Sequence, residues 1–215
     1  MYLENINGPS DIQKLNLDEL RILADETRDA LIHKISLAGG HNGPNLGMVE
    51  VTTALHYVFN SPIDKFVFDV SHQSYPHKIL TGRQQAFLDE EHFHDVTGYT
   101  NPKESEHDFF TIGHTSTSIS LALGLAKGRD LNHRKENIIA IIGDGSLSGG
   151  EALEALDYAG EYNNNLIIIV NDNDQSIAEN HGGLYKNLKE LRESNGNCTN
   201  NIFKSFGLEY HYLED

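Results

Sequence analysis

The sequence predicts an α/β protein, a three-layer sandwich around a mainly parallel sheet. Three observations predict it. Two short β-branched runs, at 138–142 (IIAII) and 166–170 (LIIIV), each end in a polar turn, Gly143-Asp144-Gly145 and Asn171-Asp172-Asn173. Runs of that length bounded by turn signals read as strands of a buried parallel sheet. The segment between them has helical spacing, which makes the order strand–turn–helix–strand, a βαβ unit. A third run at 66–70 (FVFDV) also leads into a polar segment, SHQSYPHKIL. The loops after neighbouring strands of such a unit share one sheet edge, where open α/β sheets bind ligands. An anionic ligand and a metal are expected there.

Composition narrows the ligand. The chain has 215 residues, 38% of them hydrophobic, and a formal net charge of −16 from 16 basic and 32 acidic residues. One domain over 1–215 is the natural reading at this length. The charge argues against nucleic acid or an anionic membrane surface as a partner. An acidic protein that binds phosphate does so through a divalent cation and backbone N–H groups rather than a basic patch. The single cysteine, Cys198, leaves no disulfide framework and no Cys-based metal site within one chain. No apolar run is long enough to span a bilayer, and the polar, acidic N-terminus resembles no signal peptide. A cytoplasmic protein is expected.

The elements follow in order. Residues 1–15 read as a lead-in arm with turn chemistry at Asn7-Gly8-Pro9-Ser10. Asn16 is an N-cap with Glu19 at the capping-box position, and Leu20, Leu23, Ala24, Leu31 and Ile35 share one face of a helix that Gly39 and Gly40 stop. A glycine-rich loop carrying His41 precedes a helix over about 48–59. Spacing alone leaves His41 as either an ordinary loop histidine or a proton carrier. His72 falls just past the 66–70 strand, and His77 lies in a short helix; a solvated histidine pair is the plain alternative. Residues 81–108 are polar and irregular. Their acidic, His-rich patch (Asp89, Glu90, Glu91, His92, His94) fits no ligand spacing and reads as solvated surface. A short strand is predicted at 109–112. It ends at Gly113-His114-Thr115-Ser116, where Ser116 or Thr117 caps a helix rich in small residues, a plausible anion-binding turn. After the βαβ unit, 177–188 is helical or loop-like, 191–200 is a polar turn region, 202–206 a short helix and 208–213 (LEYHYL) a last strand.

The chemistry concentrates in the βαβ unit. Mg²⁺ takes six oxygens in near-octahedral array. Asp144 offers a carboxylate, Asn173 an amide oxygen, and the main-chain carbonyl at Gln175 a third ligand. Asp144 and Asn173 are separated by the length of one βαβ repeat, which places them on adjacent loops. Gly143 and Gly145 let backbone come close, and Gly145-Ser146 can donate N–H groups to phosphate. A lone GDG is an ordinary turn. The combination of strand, GDG, helix, strand and NDN is what points to a site. No dinucleotide fingerprint and no Walker A motif are present.

GDG followed after one repeat by NDN resembles the thiamine diphosphate motif of the transketolase superfamily. GHNGPNLGMVEVTTALHYVFNSPIDKFVFDVSHQSYPHKILTGR, GHTSTSISLALGLA, GDGSLSGGEALEALDYAG and IIIVNDNDQSIAENHGGL, in this order, resemble the N-terminal region of the 1-deoxy-D-xylulose-5-phosphate synthase family. The resemblance covers most of 15–190. It implies that Asp144, Asn173 and the Gln175 main chain bind Mg²⁺. It implies that His72, Gly113, His114, Thr115, Gly145, Ser146 and Asn173 touch thiamine diphosphate, and that His41 is the catalytic histidine near the reacting carbon. The implied reaction condenses pyruvate with an aldehyde sugar phosphate, glyceraldehyde 3-phosphate, with loss of CO₂, for isoprenoid, thiamine and pyridoxal synthesis. Implied partners are a second copy, as a homodimer, or a complementary subunit.

Three departures from the family pattern set further expectations. No position matches the glutamate of the family's second domain, so the pyrimidine-binding and C-terminal domains are read as absent, and this chain by itself is expected to turn nothing over. The segment 184–206 is short. Ser71 stands where the family has glycine. Those last two leave room for a synthase-like enzyme with a different acceptor, and the N-terminal subunit of a split transketolase-like enzyme with another sugar-phosphate substrate is a second reading within the enzyme class. A non-catalytic truncated binding protein is the reading from a different class.

Overall fold

Asn16 opens the longest helix, Leu17–Ala38. Its side chain accepts from the N–H groups of Asp18 and Glu19, and the Glu19 carboxylate returns to the Asn16 N–H. This is the predicted capping box, which satisfies otherwise orphaned donors at the helix start. Gly39, at φ +75°, ends the helix in a conformation that costs glycine little. The computed structural model describes residues 1–162, 165–174 and 179–214. They form two compact units, Met1–Gly113 and His114–Asp215.

In the first unit, Leu20, Leu23, Ala24, Ala30 and Leu31 of the long helix pack with Val49, Ile79, Leu80 and Phe87. The lead-in arm joins this core through buried Leu3, Ile6 and Ile12. Each such side chain contributes roughly 1.5–3 kcal/mol on burial, enough to tie the arm down. A one-turn helix, Gly43–Leu46, precedes the helix Val49–Val58. Strand β1 spans Lys65–Phe68 and ends earlier than predicted. The chain leaves the extended region because Val70 and Ser71 take φ +58° and +67°. Left-handed backbone at a β-branched residue is strained, and such strain gathers at functional loops.

The predicted strand at 109–112 is not formed. Side chains take its backbone acceptors: the Thr100 hydroxyl donates to the Phe110 carbonyl at 2.8 Å and the Ser71 hydroxyl to that of Ile112 at 2.9 Å.

In the second unit, β2 (Ile138–Gly143) and β3 (Ile167–Asn171) pair in parallel, Ile139 opposite Ile167 through Gly143 opposite Asn171. The Ser118–Leu131 and Gly150–Glu161 helices supply small buried faces, Ala122 and Ala126 from one, Ala152, Ala155 and Ala159 from the other. Buried Arg129 donates to the carbonyls of Glu136 at 2.9 Å and Asn165 at 2.6 Å, just before the two strands, and so aligns their starting ends.

The region read as helical or loop-like followed by a polar turn holds a helix at Gly183–Glu193, reaching into the predicted turn because Leu188 and Leu191 are both buried. The short Ile202–Ser205 helix is present. The predicted last strand is not. Tyr210 instead stacks on Phe203, with ring centroids 5.4 Å apart and 6° between planes. No helix among the described residues is long and apolar enough to cross a membrane.

Candidate functional site

The second unit carries the predicted metal-and-phosphate loops. Asp144 follows Gly143 and Asn173 follows Asn171 and Asp172, so the two residues lie just past register-matched ends of neighbouring parallel strands. Asp144 is buried, and its carboxylate accepts from the Asn180 amide at 2.8 Å. Burial, and then the nearby Asp172 carboxylate, push the Asp144 carboxyl above the ordinary range. Asp172 is gripped by Arg192, whose Nη1 lies 2.6 and 2.5 Å from its two oxygens, while Nη2 reaches Asp174 at 2.6 Å. Arg192 thus pins the loop that presents Asn173. The Gln175 carbonyl lies outside the described residues.

The loop after β2 is equally constrained. Ser116, at φ +72°, donates from its hydroxyl to the Ser146 carbonyl at 2.7 Å, instead of capping the helix that follows it. Thr117 occupies the N-cap position without a side-chain cap bond. Gly149 comes so close to Ser116 that a Cβ there would sit 1.9 Å from its hydroxyl oxygen. Tyr185 donates to the Ser148 hydroxyl at 2.8 Å. Gly145 is exposed and Ser146 half-buried at the start of the short Asp144–Leu147 helix. Gly113, His114 and Thr115 are exposed, and His114 places Nδ1 at 2.9 Å from the Thr115 carbonyl, so that its Nε2 is the acceptor. The donor set fits a hard divalent cation: one electron-rich buried carboxylate and one amide oxygen, on loops held in place by other residues.

The first unit brings His41 and His72 together, with ring centroids 5.4 Å apart and 81° between planes. Two residues missed in the sequence hold them. Asn45, fully buried, donates to the carbonyls of His41 at 2.7 Å and His72 at 2.8 Å. Its oxygen accepts the Tyr75 N–H at 2.8 Å. Tyr75 lies against His41, its hydroxyl 3.4 Å from Nδ1. Tyr99 meets the same ring edge-on at 5.5 Å. His72 shares a side-chain hydrogen bond with Gln73, yet its Nδ1 is buried without a partner. Burial, then the proximity of His41, lowers its pKa. Ser71 serves the fold. Its hydroxyl also accepts the Thr100 N–H at 3.0 Å.

His77 is not a solvated histidine. It is buried, with Nε2 at 3.1 Å from Asp108 and Nδ1 at 2.9 Å from His56 Nε2. Arg83 donates to both Asp108 oxygens, at 2.7 and 3.0 Å. The His-rich patch is solvated as expected: exposed His92 contacts Asp95 at 2.7 Å, and among the described residues no cluster of His, Cys, Asp or Glu makes a metal site.

The chain superposes on Campylobacter jejuni transketolase with a TM-score of 0.66 at 20% identity, covering 90% of this chain and 35% of that one. For Leishmania mexicana transketolase the values are 0.61 and 23%, covering 74% and 28%. Those likenesses establish the fold. Sequence establishes the family: the profile of 1-deoxy-D-xylulose-5-phosphate synthase matches residues 3–210, and the chain belongs to that family. It is 50% identical over 190 residues to 1-deoxy-D-xylulose-5-phosphate synthase of Caldanaerobacter subterraneus and 51% identical over 192 residues to that of Halalkalibacterium halodurans. The matches span 88% and 89% of this chain, but 30% of the length of each relative.

Proposed function

We propose that this chain holds the diphosphate end of thiamine diphosphate through Mg²⁺, as part of an enzyme that condenses pyruvate with glyceraldehyde 3-phosphate. One observation carries the reading: the buried Asp144 carboxylate, raised by desolvation, and Asn173 follow matched ends of two parallel strands. A carboxylate so placed is short of positive charge, and a divalent cation supplies it. Asp144, the Asn173 amide oxygen and the Gln175 carbonyl would hold the metal. Gly145 and Ser146 would offer N–H groups to phosphate, and Gly113, His114 and Thr115 would contact the cofactor from their exposed segment. His41 would move or hold a proton near the reacting carbon, with His72 beside it. When bound, thiamine diphosphate supplies a nucleophilic carbon and an electron sink for decarboxylation.

Turnover on this reading belongs to the assembled cytoplasmic enzyme, which draws further residues from a longer chain, a second copy or a complementary subunit. The chain's share of its relatives' length supports that. Calorimetric titration with Mg²⁺ and thiamine diphosphate tests the binding. The wild-type chain should bind the cofactor only with metal present, and Asp144→Ala should lose that binding while keeping its thermal midpoint. Equal affinity in the variant rejects the ligand assignment.

A further inference from the structure

The Asn45 amide is spent on three backbone groups, the carbonyls of His41 and His72 and the N–H of Tyr75. Two carbonyls need donors and one N–H needs an acceptor, so only one orientation of the amide satisfies all three. Because Asn45 is fully buried, no water replaces these bonds when one is lost. This side chain therefore staples two loops that are distant in sequence. Tyr75 completes the frame from the other side. Its phenolic oxygen lies 3.5 Å from the His41 backbone nitrogen and 3.4 Å from His41 Nδ1. A Cβ on Gly40 would stand 2.9 Å from that oxygen and one on Gly98 3.3 Å, so two glycines are backed against the phenol.

Burial raises the Tyr75 pKa against the opposing pull of the His41 N–H, so the phenol keeps its proton. The oxygen accepts from the His41 N–H, and its own proton points to an acceptor. His41 Nδ1, 3.4 Å away, is placed to be that acceptor. A neutral imidazole that accepts at Nδ1 carries its proton on Nε2.

We propose that Asn45 and Tyr75 are positioning residues for His41: Asn45 holds its loop against the His72 loop, and Tyr75 selects the tautomer with the proton on Nε2. In that tautomer His41 presents its Nε2–H to a ligand's carbonyl oxygen as a hydrogen-bond donor. The significance for catalysis rests on the proposed function, whereas the ring geometry does not.

Nitrogen-15 spectra of the full chain at alkaline pH, with His41 assigned by a His41→Asn variant, read both parts. His41 should show a protonated Nε2 and an unprotonated Nδ1, with cross-relaxation between the His41 and His72 rings. Tyr75→Phe should raise the Nδ1-protonated fraction several-fold. Asn45→Asp, equal in shape but without the amide donors, should weaken the ring-to-ring signal several-fold. A wild-type His41 protonated on Nδ1 overturns the tautomer assignment whether or not either variant folds. A tautomer ratio unmoved in folded Tyr75→Phe, or a ring-to-ring signal unmoved in folded Asn45→Asp, overturns the corresponding role. Cofactor affinity is measured separately, so loss of the proposed function would leave these ring signals standing.

Discussion

The first unit holds two histidine pairs of nearly equal spacing and opposite character. His56 and His77 stack with centroids 5.1 Å apart and 19° between planes, sealed inside the fold. His41 and His72 meet edge-on at 5.4 Å and are only half-buried. The sealed pair ends on a carboxylate: Asp108 accepts from His77 Nε2, which leaves His77 Nδ1 to accept from His56 Nε2 and fixes both tautomers. The ring nitrogens of the open pair meet a phenol and an amide side chain instead, and each pair keeps one buried ring nitrogen without a partner, His72 Nδ1 here and His56 Nδ1 in the sealed pair. A histidine pair becomes structural when a carboxylate terminates the chain of hydrogen bonds. It remains available for chemistry when a buried amide and a phenol hold its place instead.

The largest blow to the sealed pair is loss of its anion. Burial alone would raise the Asp108 carboxyl, but hydrogen bonds from His77 and Arg83 hold it well below the ordinary range. Asp108→Ala leaves buried His77 and half-buried Arg83 without that partner, and should cost about 3–5 kcal/mol in a denaturant titration. A loss under about 1 kcal/mol would mean that the network is dispensable.

Acid acts next. Burial, reinforced by neighbouring His77, His107 and Arg83, holds His56 well below 6.5, and burial lowers His77 against the pull of Asp108. His107 is lowered to about 4, again by burial first. Folded pKa values below the unfolded value mean that the unfolded chain binds more protons. Stability is therefore whole above pH 6.5 and falls as the pH drops below it. With His56 and His77 both lowered, stability should fall between pH 6 and 5. Urea midpoints that stay level over this interval would contradict the sealed-pair description.

The open pair should respond little. His41→Ala removes a half-buried ring whose loop is held through its backbone, so the change in stability should stay under about 1 kcal/mol. A loss above about 2 kcal/mol would erase the distinction between the pairs. Smallest of all is Asp144→Asn in the second unit. It removes a charge that burial disfavours, and should leave stability unchanged or raised by up to about 1 kcal/mol without metal, measured by thermal unfolding.

The βαβ unit, the capping box and the 48–59 helix were legible in the sequence because they are written locally, in apolar spacing and short turn motifs. The sealed pair was not. His56, His77, Arg83 and Asp108 lie in segments with no common period, and only the fold brings them together. The two strands that failed, 109–112 and 208–213, have apolar or alternating patterns that a sheet would use. In one, the hydroxyls of Ser71 and Thr100 take the backbone carbonyls, and in the other Tyr210 is committed to Phe203. Of the candidate site, His41 and His72 were visible as residues after glycine or strand, whereas Asn45 and Tyr75 gave no signal, since a buried amide is recognised by its partners and not by its neighbours in sequence.

The Asn45 staple also sets a clock. The Tyr75 amide proton is bonded to the Asn45 side chain rather than to the helix it begins, so solvent can exchange it only when the staple opens. Its exchange half-life therefore times the separation of the His41 and His72 loops, and one amide resonance would follow, in minutes or hours, how long the pair stays assembled.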